Sequence, residues 1–468
     1  MLKDLLTSTA VQEFIQSALA KKMDELQVSS ALAKKYSFDE RAAIMDYMAL
    51  VPKFREKFGA SKAFLLCDKL ALEQSTAQDI GRYKANLWPN GEEARGKSVH
   101  DLCCGMGGDS FFLPRELKVT GVDLDEDRIA MYSHNACVMR GDGEAVLTDV
   151  KEAFAKSPAD YFTIDPARRT DEGDNQRDLN NLSPTFAEVL DIAKHYKGGM
   201  AKLPPGYPVG EIPHDTEILY IGKHSDCREC LVLFGELARA PGTIRAVIVD
   251  KEGNAIAQWE APRDAARETR DEAEQRHFDE NLQMEGRDRV YRTASSQSDL
   301  PLGELSKYIS EPAAVLVRSR LFGLAALAHD PVAHLISEGI AYVSSDTPLP
   351  SPGFSCYEVV DRTDISTSAV RNMLKAHNVG RLTIKLRGVK LDPDAEIARL
   401  KPKGKESAIL FYTRAYGEKV ALLTMRYEEG GRTYGALRYK SQAKQPSLQY
   451  LYFNHQLLST AYIHFPCL

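Results

Sequence analysis

Residues 98–110 read SVHDLCCGMGGDS, and the fold turns on how this stretch is built. An apolar run around Val99 leads into Gly105, Gly107 and Gly108, three glycines within four positions. Glycine there frees the backbone to turn sharply and lets another group approach the main chain with no Cβ in the way. The spacing predicts a strand, a tight turn and a helix. In that arrangement backbone N–H groups and the helix start face a nucleotide-like ligand.

Working outward, short apolar runs alternate with helical stretches: SVHDLC, LKVTGVDL, EAVLTD, DYFTIDP and GGMAKLPP. Such alternation predicts a mostly parallel sheet covered on both faces. TEILYIG, ECLVLFGEL, TIRAVIVD and AIAQWEA follow. The last two are separated by Lys251-Glu252-Gly253-Asn254, which predicts a hairpin at the sheet edge.

Upstream, residues 1–90 read as helices. Val11, Phe14, Ile15 and Ala18 share one helix face, and Ser37 ahead of Asp39 and Glu40 marks a helix start. Downstream, 263–300 is very polar and reads as a solvated helix and linker. From Gly303 to Val360, strand-like KYIS, IAYVSS and CYEVV surround an apolar helical stretch. From Thr363 to Arg426 the pattern is helix, strand GRLTIKLRGV, helix, then a hairpin in AILFYTRAYGEKVALLTM. The tail, 427–468, is tyrosine-rich with little period. The expected organisation is a helical region 1–90, a nucleotide-binding α/β domain 91–262, an α+β module 263–362, a second α+β domain 363–426 and a tail of unassigned role.

Composition bounds the function. The chain has 468 residues, 43% apolar and 27% charged, with a net charge of −6. That is a globular mixture with room for about three domains, and any nucleic-acid surface must be a local patch. No window approaches the ~20 apolar residues that span a bilayer. MLKDLLTSTAVQEFIQ makes a poor signal peptide, so a cytoplasmic location is expected. Eight scattered cysteines do not make a disulfide framework. Cys227-Arg-Glu-Cys230 lacks the second ligand pair that a zinc site needs, so no metal is expected.

The strand ends carry the candidate chemistry. Asp123 closes the second strand, fifteen residues past Gly108, where a carboxylate can accept both ribose hydroxyls of an adenosine. Two cofactors suit this geometry. A dinucleotide wants GxGxxG, but Ser110 stands at the third glycine position. S-adenosylmethionine has no phosphate, and Asp101 offers a polar group for its amino-acid end. Cys103, Gly105, Gly107 and Leu124 complete the candidate donor contacts, and Asp149 is placed for the adenine amino group. Asp165-Pro166-Ala167-Arg168-Arg169 follows the fourth strand, so Asp165 and Pro166 would sit beside the donor methyl. There the carboxylate can accept an amine N–H and aim the nitrogen lone pair at the methyl, which makes catalysis chiefly positioning. Each of Asp123, Asp149 and Asp165 could instead be a helix N-cap. Arg168 and Lys202 are candidates for acceptor phosphate.

A basic block runs through the last domain: Arg371, Lys375, Arg381, Lys385, Arg387, Lys390, Arg399, Lys401, Lys403 and Lys405. In strand geometry Arg381, Thr383, Lys385 and Arg387 alternate with Leu382, Ile384 and Leu386, one face basic and one buried. Such a face can follow a phosphate backbone, or it can simply be a solvated sheet face.

The chain resembles class I S-adenosylmethionine-dependent methyltransferases that carry a C-terminal THUMP-like domain. EQSTAQDIGRYKA (73–85), DLCCGMGGDS (101–110), GVDLDEDRI (121–129), DPARR (165–169), KLPPG (202–206), YISEP (308–312) and GRLTIKLRGV (380–389) carry the resemblance, over roughly residues 1–426. It implies a Rossmann-like class I methyltransferase core with an N-terminal helical region and C-terminal ferredoxin-like and THUMP-like α+β modules. It also implies donor binding by Asp101, Gly105, Gly107 and Asp123, a catalytic loop at Asp165-Pro166, and helix 73–85 covering the donor. THUMP domains bind structured RNA, so rRNA or tRNA is the implied partner, with Arg381, Lys385, Arg387 and Lys202 on the substrate side. Nucleic-acid amine methyltransferases usually carry (Asp/Asn)-Pro-Pro-aromatic. Ala167 and Arg168 stand at the last two positions here, and Arg168 could stack on a base. The reading is an RNA base-nitrogen methyltransferase. Its alternatives are a non-catalytic RNA-binding or donor-sensing protein and a nicotinamide-dependent oxidoreductase.

Overall fold

A computed structural model describes residues 2–59, 64–168, 182–263, 300–428, 431–432 and 462–464. Two compact units divide the chain. The first holds residues 1–217, 231–241 and 249–254; the second holds 218–230, 242–248 and 255 onward. The expected linker helix in 263–300 lies almost wholly outside the described residues, as does most of the tail.

The first unit begins with helices Thr9–Ala20, Glu25–Leu32 and Phe38–Phe58. Val11, Ile15 and Ala18 are buried, as the helical period requires. Ser37 caps the third helix with Glu40 in a reciprocal capping box. The helices share one apolar cluster with Met106 and Phe111 of the glycine loop. The rings of Phe58 and Phe111 meet edge-on at 5.2 Å. The helical region is therefore part of what holds the loop.

The strands are β1 (Ser98–Leu102), β2 (Lys118–Asp123), β3 (Ala145–Leu147), β4 (Tyr161–Ile164), β5 (Ala167–Arg168), β6 (Leu182–Ser183), β7 (Gly198–Leu203), β8 (Glu217–Gly222) and β9 (Cys227–Gly235). The first unit's sheet runs β3-β2-β1-β4-β7-β9. Its first five strands are parallel. All four residues of β4 are buried, as in a sheet covered on both faces. The carboxyl ends of these strands make one rim. β5 and β6 form a separate antiparallel ribbon, Ala167 opposite Ser183 and Arg168 opposite Leu182.

Two local expectations change. The glycine turn does not feed an α-helix; only a 3₁₀ turn, Ser110–Phe112, follows it. Pro114 has no N–H to continue the turn, and Phe111 is drawn into the core. The carbonyls of Ser110, Leu113 and Leu117 are taken by the Arg140 guanidinium. The 73–85 segment is likewise two helices, Lys69–Gln74 and Gln78–Ala85, parted where Ser75 and Thr76 pass the glycine loop.

In the second unit, β10 (Thr243–Val249) pairs parallel with β8, and β11 (Ala255–Pro262) lies beside β10. The expected edge hairpin is not the last element, because Tyr462–His464 pairs antiparallel with β11. A second sheet uses β12 (Tyr308–Pro312), β13 (His334–Leu335), β14 (Val343–Ser345), β15 (Phe354–Asp364), β16 (Val379–Leu386), β17 (Glu406–Ala415) and β18 (Glu418–Glu428). Its order is β13-β14-β12-β15-β18-β17-β16. One apolar cluster joins Val370, Met373 and Leu374 of helix Thr367–Ala376 to Leu410 and Leu423 of the sheet. Another joins Ile309, Tyr342, Tyr357, Phe411 and Leu422. The expected boundary at 362/363 falls inside β15, which pairs with β12 on one side and β18 on the other. Among the described residues, no helix is long and apolar enough to cross a membrane.

Candidate active site

The rim of the first unit gathers the carboxylates expected there. The thiol of Cys103 is pushed up by burial first, and then by the charges of Asp123, Asp165, Asp101 and Asp149. One residue at the end of β1 thus feels the acidic groups from the ends of β1, β2, β3 and β4. Cys103 itself has φ +56 and starts the turn.

Gly105 and Gly107 serve different purposes. Gly105 has φ +53, and no atom lies within 4 Å of where its Cβ would stand. That is a cradle a side chain would fill, open to a ligand. Gly107 has φ +93, and a Cβ there would press on Phe111 at 2.9 Å and Tyr132 at 3.2 Å. It is needed for packing beneath the loop.

Asp123 ties the loop to β2. Its Oδ2 accepts the Gly105 N–H at 3.1 Å and its Oδ1 accepts the Asp125 N–H at 3.1 Å. A carboxylate offers about four acceptor sites, so hydroxyls of a sugar can share both oxygens. Asp123 is not a helix cap; Asp125 caps helix Glu126–Arg140 instead. Leu124 beside it is 68% exposed, and Leu147, opposite Asp123 in the β2–β3 register, is 52% exposed. These two leucines offer apolar surface suited to the face of a purine. Leu147 escaped the sequence reading; an apolar residue one strand over from Asp123 was the available signal. Asp149 follows two residues later, half-buried, its Oδ1 accepting the Lys151 N–H at 2.9 Å.

Asp101 lies beneath the loop, buried, and its Oδ2 accepts the Ser110 hydroxyl at 2.5 Å. Burial, with Asp109 and Asp165 adding to it, holds its carboxyl well above the ordinary value. Ser110 Oγ also lies 3.1 Å from the Tyr132 hydroxyl. For Asp109, burial would also raise the carboxyl. The Lys84 ammonium at 2.5 Å, with Lys202 behind it, outweighs burial and leaves it below the ordinary value. The Gln78–Ala85 helix thereby reaches the loop through a buried ion pair.

Helix Glu126–Arg140 clamps the loop from the other side with three buried polar residues on one face. Tyr132 meets Ser110, Asn135 donates to Met106 O at 3.0 Å and Leu66 O at 2.8 Å, and Arg140 holds three carbonyls. Sequence reasoning passed over these residues. Polar side chains repeating at helical spacing within an otherwise apolar face were the signal.

At the end of β4, Asp165 leads through buried Pro166 into β5. No helix follows, so Asp165 is not an N-cap. Ile164 pairs in register with Ala201, which sets Asp165 level with Lys202 on β7. The Lys202 ammonium is 2.7 Å from Asp165 Oδ2. Arg168 continues in β5; its side chain lies outside the described positions.

The remaining candidates belong to the second unit, on β16 and just past its end. Arg381 is exposed. Lys385 and Arg387 both bond to Glu311 of β12, Arg387 at 2.9 Å. Among the described residues, no group of three or more His, Cys, Asp or Glu is arranged to hold a metal ion.

The comparisons agree with this architecture. A family model described as THUMP domain-like matches residues 354–426. Two Mycobacterium tuberculosis proteins, from strains CDC 1551 / Oshkosh and ATCC 25618 / H37Rv, are each named an uncharacterized S-adenosylmethionine-dependent methyltransferase. Each is 27% identical over 351 residues, 74% of this chain and 83% of its own. The crystal structure of a putative methyltransferase from Porphyromonas gingivalis W83 superposes with a TM-score of 0.66 at 18% identity, over 90% of this chain and 99% of that one. The chain shares the fold of that protein, and in this chain the methyltransferase core is followed by the THUMP domain-like stretch 354–426.

Proposed function

We propose that this S-adenosylmethionine-dependent methyltransferase delivers its methyl group to a base nitrogen of RNA, with Asp165 and Pro166 positioning the acceptor. The observation that carries the reading is the Asp123 carboxylate bonded to the N–H of Gly105, whose Cβ position is open, with Asp149 and the Asp165-Pro166 loop following neighbouring strands of the same sheet. The residues suit the cofactor. Gly105 leaves room at the main chain, Asp123 has acceptor capacity for ribose hydroxyls, Leu124 and Leu147 offer apolar surface for the adenine, and Asp149 follows on the third strand. When bound, S-adenosylmethionine supplies a sulfonium methyl group, an electrophile that needs no metal.

The protein's own share of the work is geometric. Pro166 fixes its own backbone angle and so the exit of the chain from β4. Asp165 accepts the N–H of the acceptor amine, which turns the nitrogen lone pair toward the donor. Lys202 balances the Asp165 charge and holds one carboxylate oxygen in place. Alignment of this kind suffices for large rate gains in an in-line transfer.

Support for RNA comes from the THUMP-like match and from the exposed part of the basic block: Arg371, Lys375, Arg381, Lys390, Arg399, Lys401, Lys403 and Lys405 are exposed. Tritium transfer from labelled donor into total RNA of a deletion strain tests the reading. Label recovered in one methylated nucleoside supports it. Label found only in protein or small molecules rejects the RNA acceptor, and no transfer to any acceptor rejects the whole.

A further inference from the structure

Lys202 was a candidate for acceptor phosphate, yet its placement is unlike that of a phosphate contact. Its side chain is only 19% exposed, and its ammonium rests on Asp165 Oδ2 at 2.7 Å. It also acts on Asp109, the buried carboxylate that pairs with Lys84. Two ion pairs, Lys84–Asp109 and Lys202–Asp165, are thus linked through the pull of Lys202 on Asp109. The β4–β7 register sets the second pair, because Asp165 and Lys202 leave adjacent parallel strands at the same level.

A methyl donor changes charge as it reacts. The sulfonium is a cation, and the demethylated product is neutral at sulfur. A lone carboxylate beside the reacting sulfur would favour the cationic donor, and a lone ammonium would favour the product. An opposite charge within ~4–6 Å shifts an ionic equilibrium by about one to three powers of ten. Resting on the donor-site reading above, we propose that the Asp165–Lys202 pair is a charge couple that sets the preference of the site for S-adenosylmethionine over S-adenosylhomocysteine. Lys202 is then a positioning and charge-balancing residue acting through Asp165. It is not an RNA contact.

The test is calorimetric titration of the full chain with each of the two compounds, and needs no RNA. The affinity ratio of S-adenosylmethionine to S-adenosylhomocysteine is the readout. Lys202→Met removes the ammonium from Asp165 and raises the ratio roughly tenfold; Lys202→Gln, kept in case the first variant folds poorly, does the same. Asp165→Asn removes the carboxylate from Lys202, whose ammonium then faces Asp109 alone, and lowers it. The double variant returns near the wild-type ratio, and Lys202→Arg, which keeps the charge, stays there. A purely structural role for Lys202 weakens both ligands equally, and a role in gripping phosphate moves neither; in either case the ratio stays within about twofold and the couple is overturned. If the wild-type chain binds neither compound, the methyltransferase reading itself fails. If the ratio shifts but no RNA is methylated, only the acceptor assignment falls.

Discussion

Each unit contains a cluster in which carboxylate meets cation, and the two clusters are built differently. Asp165 and Lys202 meet at the ends of adjacent parallel strands, beside a glycine cradle with no atom where a side chain would go. Glu311 meets Lys385 and Arg387 across the second sheet, and aromatic rings lie under both cations. The Lys385 ammonium sits 5.3 Å from the Tyr357 ring and the Arg387 guanidinium 4.9 Å from the Tyr342 ring. A cation held between a carboxylate and a ring is well fixed and well balanced. The second cluster thus fastens YISEP to GRLTIKLRGV, whereas the first, on the proposed reading, stands where a ligand's charge is felt. The rim pair sums to zero formal charge and the sheet cluster to +1, and it is the rings around the second that mark it as architecture.

The contrast can be broken most sharply at Asp165. Asp165→Asn should cut methyl transfer by about 10²–10³-fold, the usual cost of removing a group that acts on the reacting centre, while urea unfolding changes by about 0.5 kcal/mol or less. A variant that unfolds early instead would put the rim pair in the same class as the sheet cluster. Next comes the clamp beneath the rim. Asn135→Ala removes three buried hydrogen bonds and should lower stability by about 3 kcal/mol; an unchanged urea midpoint would show that the loop keeps its shape without help.

Glu311→Gln is the mirror experiment. It leaves two half-buried cations without their carboxylate and should cost about 2 kcal/mol of stability, with the turnover number for methyl transfer preserved. Lost turnover in a stably folded variant would move that cluster into the catalytic account. The smallest effect is a pair of pH slopes. Asp101 has a raised carboxyl, so its contribution is present at low pH and lost as pH rises from the ordinary carboxylate range through its folded value. Asp109 has a lowered one, so its contribution is present above that range and lost as pH falls through its folded value. Urea midpoints from acid to neutral pH should therefore diverge from wild type in opposite directions for Asp101→Asn and Asp109→Asn. Parallel curves would refute the assignment.

Local rules made much of the fold legible. The capping box at Ser37 and Glu40, the strand after the glycine turn, and the β17–β18 hairpin with Gly417 at φ +79 in its turn all follow from neighbouring residues. So do the acidic strand ends, because a parallel sheet brings its carboxyl edges together whatever the loops do. What escaped was set by register and by distant partners. Nothing near Lys202 in the chain says that β7 will align it with Asp165. Nothing near Lys385 names Glu311, 74 positions away. The missing helix after Ser110 was half legible: Pro114 stands close by in the chain, but Arg140, which takes the carbonyls, is 30 positions away.

The hold of helix Glu126–Arg140 on the glycine loop has a consequence for inheritance. Tyr132, Asn135 and Arg140 shape the cradle from underneath and give it form before any cofactor arrives. Sequence drift on that hidden face would surface as weakened cofactor affinity, in a protein whose visible pocket had not changed by a single residue.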